Sequence, residues 1–118
     1  MKKILIADDS LFMRTNLRDM LAGRFEIVEA ASGEEVLAKF KDEKPDLVLL
    51  DIIMPQAGIE GIDILKNIMK IDPKAKVIVV SSMRQDFLIE KCRELGVTSY
   101  IKKPVVVAEM VELIEKTI

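Results

Sequence analysis

The 118-residue sequence predicts a single domain of the doubly wound α/β class, and three observations carry that prediction. Short β-branched runs alternate with amphipathic segments five times along the chain. Two of the runs, Leu47 to Leu50 and Val77 to Val80, are apolar at every position, the habit of parallel strands covered on both faces. Four of the runs end in groups that carry charge or donate hydrogen bonds: Asp8-Asp9, Asp51, Ser81-Ser82 and Lys103-Pro104.

The first strand runs from Lys3 to Ala7. Ser10 then caps a helix to about Ala22, and Gly23 stops it. Met13, Leu17, Met20 and Leu21 recur at helical spacing, a stripe suited to face a sheet. Phe25 to Ala30 reads as a shorter strand, and Arg24, Glu26 and Glu29 mark it as a sheet edge. Ser32-Gly33-Glu34-Glu35 has the capping-box pattern, and the helix it opens carries Val36, Leu37 and Phe40 before Lys44-Pro45.

After the strand Leu47 to Leu50 comes a loop, Ile52 to Glu60. A helix from about Gly61 to Ile71 presents Ile62, Leu65 and Met69 and ends at Asp72-Pro73. Lys76 to Val80 forms the fourth strand. The fourth helix spans Gln85 to Leu95, with Leu88, Cys92 and Leu95 inward and Gly96 at its end. Thr98 to Lys102 is the fifth strand. The last helix, about Val106 to Lys116, turns Val107, Met110, Val111, Ile114 and Ile118 to one side. The Glu109, Glu112 and Glu115 run is its solvated face.

Half of the residues are apolar, 32% are charged and the net charge is −2, so bulk charge gives no attraction for nucleic acid. Cys92 is the single cysteine and there is no histidine. A disulfide framework, a His/Cys zinc site and histidine catalysis are thereby excluded. Cys92 itself reads as a small core residue. Met1-Lys2-Lys3 leads straight into a strand rather than a signal-peptide core. No apolar run is long enough to span a bilayer. We expect a cytoplasmic monomer without membrane insertion.

The strand ends carry the functional argument. Ligands of open α/β sheets bind outside the carboxyl ends of the strands, at the topological switch point. The flavodoxin-like strand order 2-1-3-4-5, with helices on both faces, sets the first and third strands side by side there. Asp8 and Asp9 then meet Asp51. Crowded carboxylates repel and invite a hard divalent cation, and Mg²⁺ accepts few carboxylates plus several waters. Ser81 adds a hydroxyl and Lys103 a mobile ammonium. Such a cradle fits a phosphoryl group, with Asp51 as the central nucleophile of an acyl phosphate.

Each residue also has a plainer reading. Asp8-Asp9 suits a helix dipole, Asp51 a turn, Ser81-Ser82 a helix entry, and Lys103 a solvated face. Tyr100 is otherwise a strand aromatic at the surface. Val105-Val106-Val107 is either a docking patch or helix-start packing. Convergence at one sheet edge is what separates the two sets of readings.

Asp8-Asp9, Asp51 with Met54-Pro55, Ser81, and Lys103-Pro104, in this order at these strand ends, resemble the receiver domain of bacterial and archaeal response regulators. The resemblance covers essentially the whole chain. No output segment follows in this sequence, so it is most similar to the single-domain chemotaxis members. Tyr100, Met13-Arg14 and Lys66 to Lys70 add to that. The resemblance implies that Asp51 takes a phosphoryl group from a CheA-like sensor histidine kinase. It implies that Asp9, Asp51 and the Ile53 backbone carbonyl hold Mg²⁺, with Asp8 acting through a metal-bound water. Lys103 would pair with the acyl phosphate ahead of a cis bond to Pro104. Ser81 and Tyr100 would be the switch pair, altering the face that an output target, such as a motor switch protein, reads. The chain would catalyse its own phosphorylation and dephosphorylation without being a turnover enzyme.

Two features depart from the family. Gly58 and Gly61 lie three and six residues after Pro55, which reads as a loop about two residues longer than usual. Ile53 and Met83 occupy positions that tune acyl-phosphate hydrolysis, and neither can orient a water. Slow self-dephosphorylation, offset by a separate phosphatase, is expected. Competing functions remain: a single-domain phosphorelay intermediate, an Asp-nucleophile phosphatase, a flavin-binding module, or a receiver-like binder that is never phosphorylated. Ile53 stands where the phosphatase needs a second Asp, and Asp8-Asp9 would repel a flavin phosphate.

Overall fold

In the computed structural model, which describes residues 1–52, 61–82 and 86–118, strands and helices alternate. The elements are β1 (Lys3–Ala7), α1 (Leu11–Leu21), β2 (Glu26–Ala30), α2 (Gly33–Glu43), β3 (Leu47–Leu50), α3 (Gly61–Ile71), β4 (Val77–Ser81), α4 (Asp86–Glu94), β5 (Ser99–Lys102) and α5 (Val107–Thr117). The described strands form one sheet in the order β2-β1-β3-β4-β5, every pairing parallel. That is the order the sequence predicts.

Strand alternation divides the core into two layers. Leu5, Val48, Leu50, Val77 and Val79 face one way, against Val36 and Phe40 of α2, Ile64, Leu65 and Ile68 of α3, and Cys92 of α4. Ile4, Ile6, Leu47, Leu49, Ile78 and Val80 face the other, against Leu17 and Leu21 of α1 and Met110, Val111 and Ile114 of α5. The four residues of β3 are all buried, which explains the absence of any polar position between Leu47 and Leu50. Each such side chain contributes roughly 1.5–3 kcal/mol relative to exposure. The sheet therefore holds its ends rigidly, and the site is built on those ends.

Several expectations need correction. Val107 is exposed rather than inward: it is the first residue of α5, whose buried residues are Met110, Val111 and Ile114. In α3 the deepest residues are Ile64, Leu65 and Ile68, while Ile62 and Met69 are half-buried flanks. Glu35 reaches back to the Ala31 N–H at 3.2 Å, one residue before the Ser32 cap, so the reciprocal half of the capping box is shifted by one. Strand β4 extends through Ser81, which makes Ser81 a ladder residue rather than a loop residue. Gly61 opens α3 with its N–H on the Ile52 carbonyl at 3.1 Å. Ile53, Met54-Pro55, Gly58, Met83 and Gln85 lie outside the described residues, and so does the loop-length expectation. Among the described residues no helix is long and apolar enough to cross a membrane.

Candidate functional site

Backbone pairing continues past the strands and fixes the site. Asp51 N–H donates to Ala7 O at 2.9 Å, extending the β1–β3 ladder by one residue. Asp8 N–H donates to Ala30 O at 3.1 Å, doing the same between β1 and β2. Lys103 N–H donates to Ser81 O at 2.9 Å, carrying the β4–β5 ladder to its end. Asp8, Asp51, Ser81 and Lys103 thus leave one edge of the sheet, in register, without any loop excursion. The Lys103–Pro104 bond is cis, as the resemblance implied.

The side chains then converge. The Lys103 ammonium lies 3.2 Å from Asp51 Oδ2 and 3.3 Å from Asp8 Oδ2. Asp8 is 2% exposed, Asp51 8% and Ser81 0%, so this is a buried ionic cluster rather than a surface pair. Burial alone would lower the Lys103 pKa. Attraction to Asp51 and then Asp8, with their hydrogen bonds, outweighs burial and raises it. The amine is therefore a fixed cation across the neutral range.

Two carboxylates share that one ammonium, so the buried edge keeps a formal negative charge. Asp9, half-buried in the next position, adds to it. Among the described residues no three acidic, histidine or cysteine side chains lie close enough together to hold a metal as a set. Asp8 and Asp51 are bridged by Lys103, and Asp9 follows Asp8 directly in the chain. The donor set still fits a hard cation. It is all oxygen and anionic, and Mg²⁺ needs only one or two protein carboxylates beside its waters.

Tyr100 and Ser81, the two residues expected to act as a switch, sit on the paired strands β5 and β4, two register positions apart. Burial raises the phenol pKa above its ordinary value, and the hydrogen-bonding influence of the nearby Ser81 hydroxyl opposes it less strongly. The sequence did not single out the braces of the β1–α1 turn. Asp8 Oδ1 accepts the Ser10 N–H at 2.9 Å, and Arg14 Nη1 donates to the Asp8 carbonyl at 2.7 Å. Arg14 Nε donates to Glu29 Oε1 at 3.3 Å. Glu29 read as an edge-strand charge because nothing local pairs it with a residue fifteen positions earlier.

Comparison with known proteins agrees with this fold. The response regulator receiver domain model matches residues 4–115. The chemotaxis protein CheY of Thermotoga maritima is 43% identical over 117 residues, covering 98% of this chain and 96% of that protein. CheY of Bacillus subtilis is 39% identical over 118 residues, covering 98% and 97%. Among solved structures, a CheY-like receiver domain protein of Methanospirillum hungatei superposes with a TM-score of 0.91 at 31% identity, covering 98% of this chain and 92% of that one. The CheX–CheY–BeF3–Mg²⁺ complex of Borrelia burgdorferi gives 0.90 at 34% identity, covering 98% and 87%.

Proposed function

The chain belongs to the response regulator receiver domain family, and on that premise we propose that it is a phosphorylation-driven switch with Asp51 as acceptor. A carboxylate oxygen of Asp51 attacks the phosphorus of a kinase phosphohistidine. The P–N bond breaks, the imidazole leaves with its electron pair and takes a proton, and an acyl phosphate remains on Asp51. The observation that carries this reading is the Lys103 amine bridging Asp51 and Asp8. That cation lies within reach of any oxygen added to Asp51 and offsets the charge the phosphoryl group brings.

Asp9 and Asp51 would hold Mg²⁺, with Asp8 acting through bound water, and the ion would neutralise charge on the transferring oxygens. The Borrelia burgdorferi relative forms a complex containing CheX, BeF3 and Mg²⁺, which supports the metal and a separate regulatory partner for this chain. Ser81 donates to the new phosphoryl oxygens and turns away from Tyr100. Tyr100 then repacks on β5, and the surface around α4, β5 and α5 changes for the partner that reads it. The relatives that are chemotaxis proteins favour a CheA-like kinase and a motor-directed output. The switch cycles without turning over an external substrate.

Incubation with Mg²⁺ and acetyl phosphate tests this. One base-labile phosphoryl group should appear per chain by mass spectrometry, and Asp51→Asn should abolish it. Labelling that survives in Asp51→Asn, or never appears in the parent, overturns the reading.

A further inference from the structure

One charge cluster beside the site has no part in the phosphoryl chemistry. Glu29, on the edge strand β2, takes the Arg14 Nε at 3.3 Å through one oxygen and the Arg18 Nη2 at 3.0 Å through the other. The Arg14 side chain is 13% exposed and that of Arg18 51%. Arg14 alone of the two turns inward, and its free arm meets the Asp8 carbonyl at 2.7 Å.

We propose that Arg14 and Glu29 are positioning residues: Glu29 aims the Arg14 guanidinium, which clamps the Asp8–Asp9 peptide in the orientation that presents this acidic turn to a divalent cation. The proposal rests on the cation-binding reading given above.

The geometry argues for a clamp rather than incidental packing. A guanidinium is planar with donors in a fixed fork, so holding Nε on Glu29 sets where Nη1 can go. The peptide unit is rigid, so fixing the Asp8 carbonyl fixes the Asp9 nitrogen in the same plane. Every other polar group of Asp8 is already committed: N–H to Ala30, Oδ1 to Ser10 N–H, Oδ2 to Lys103. The carbonyl is the remaining degree of freedom, and Arg14 removes it. Glu29 has a second effect. A bare arginine beside a cation site would repel the cation, and Glu29, shared between Arg14 and Arg18, offsets part of that charge.

Charge and position predict opposite signs. If Arg14 acted only as a nearby positive charge, deleting it would tighten divalent binding. If it orients the peptide, deleting it weakens binding. Outer partners of metal ligands are typically worth about ten- to a hundred-fold in affinity.

The experiment is an Mn²⁺ titration of the full chain, read by electron paramagnetic resonance, with urea unfolding of each variant alongside. For Arg14→Ala we expect a dissociation constant about tenfold weaker. Arg14→Lys should recover part of the affinity, since an ammonium keeps the charge and donors but lacks the planar fork that sets one contact by the other. Glu29→Gln, which keeps the shape and removes the carboxylate that aims Arg14, should weaken binding several-fold and covers the case in which Arg14→Ala does not fold. Unchanged or tighter binding in Arg14→Ala, or in Glu29→Gln, with a parent that binds Mn²⁺ overturns the clamp alone. A parent that binds no Mn²⁺ overturns the cation site together with it.

Discussion

The two ends of the sheet use the same residue types for opposite purposes. At the amino end, Lys2, Asp46, Asp72, Lys74 and Lys76 surround a shallow cavity of about 250 Å³, and all five are exposed. There the Lys3 ammonium reaches the Glu43 backbone carbonyl at 3.2 Å but stays 3.9 Å from its carboxylate. At the carboxyl end, Asp8, Asp51 and Lys103 meet at 3.2 to 3.3 Å out of water. A unit-charge pair near 4 Å is worth about 1 kcal/mol in water and about 4 kcal/mol at a protein-like effective dielectric of 20. Residue type therefore does not mark the site; burial at the strand ends does.

Breaking each end should separate them. Lys103→Met leaves two buried carboxylates facing each other, and we expect a loss of about 3 to 4 kcal/mol in metal-free urea unfolding at neutral pH. Lys3→Met removes a partly solvated amine and should cost no more than about 1 kcal/mol. Equal losses would mean that the buried cluster is as well hydrated as the exposed one.

Glycines sharpen the same contrast. Gly23 and Gly96 close helices at the amino end, with φ of +81° and +98°, where glycine supplies the left-handed backbone. Gly61, at the carboxyl end, is glycine for space: a Cβ there would fall 2.1 Å from the Ile52 Cα and carbonyl oxygen. Gly61→Ala must shift backbone next to Asp51, and should cost about 2 to 3 kcal/mol. Gly23→Ala, with open space around it, should cost about 1 kcal/mol from its φ alone. Thermal unfolding of the two variants checks the order.

The sheet was legible because its signal is local: Leu47 to Leu50 has no polar position, and β3 is buried along its length. Asp8, Asp51, Ser81 and Lys103 were legible because parallel strands deliver their carboxyl ends to one edge. What the sequence hid depends on distances between elements. The Arg14–Glu29 brace spans α1 and β2, and charge on an edge strand has the same appearance whether paired or solvated. Val107 was misplaced because helical periodicity gives a face but not how far along the helix that face is covered. In α3 the sequence stripe was offset, since Ile62, Ile64, Leu65, Ile68 and Met69 offer more apolar positions than one face needs.

The finest difference between the ends lies in alkaline titration. Folding raises the Lys103 pKa, because Asp51 and Asp8 outweigh the opposing effect of burial. A group raised on folding contributes stability that is complete below its unfolded pKa, about 10.4 for lysine, and is lost as pH climbs through the folded value. The stability gap between the parent and Lys103→Met should therefore stay level up to about pH 10 and narrow above it. Tyr100 and Cys92, raised chiefly by burial, also lose their contributions at high pH, but both remain in the variant and largely cancel from the gap. Urea midpoints measured across this range decide the matter. A gap that stays level or widens with alkalinity would mean that the lysine draws nothing from the two carboxylates, and the carboxyl edge would then be no different in kind from the exposed charges at the other end of the sheet.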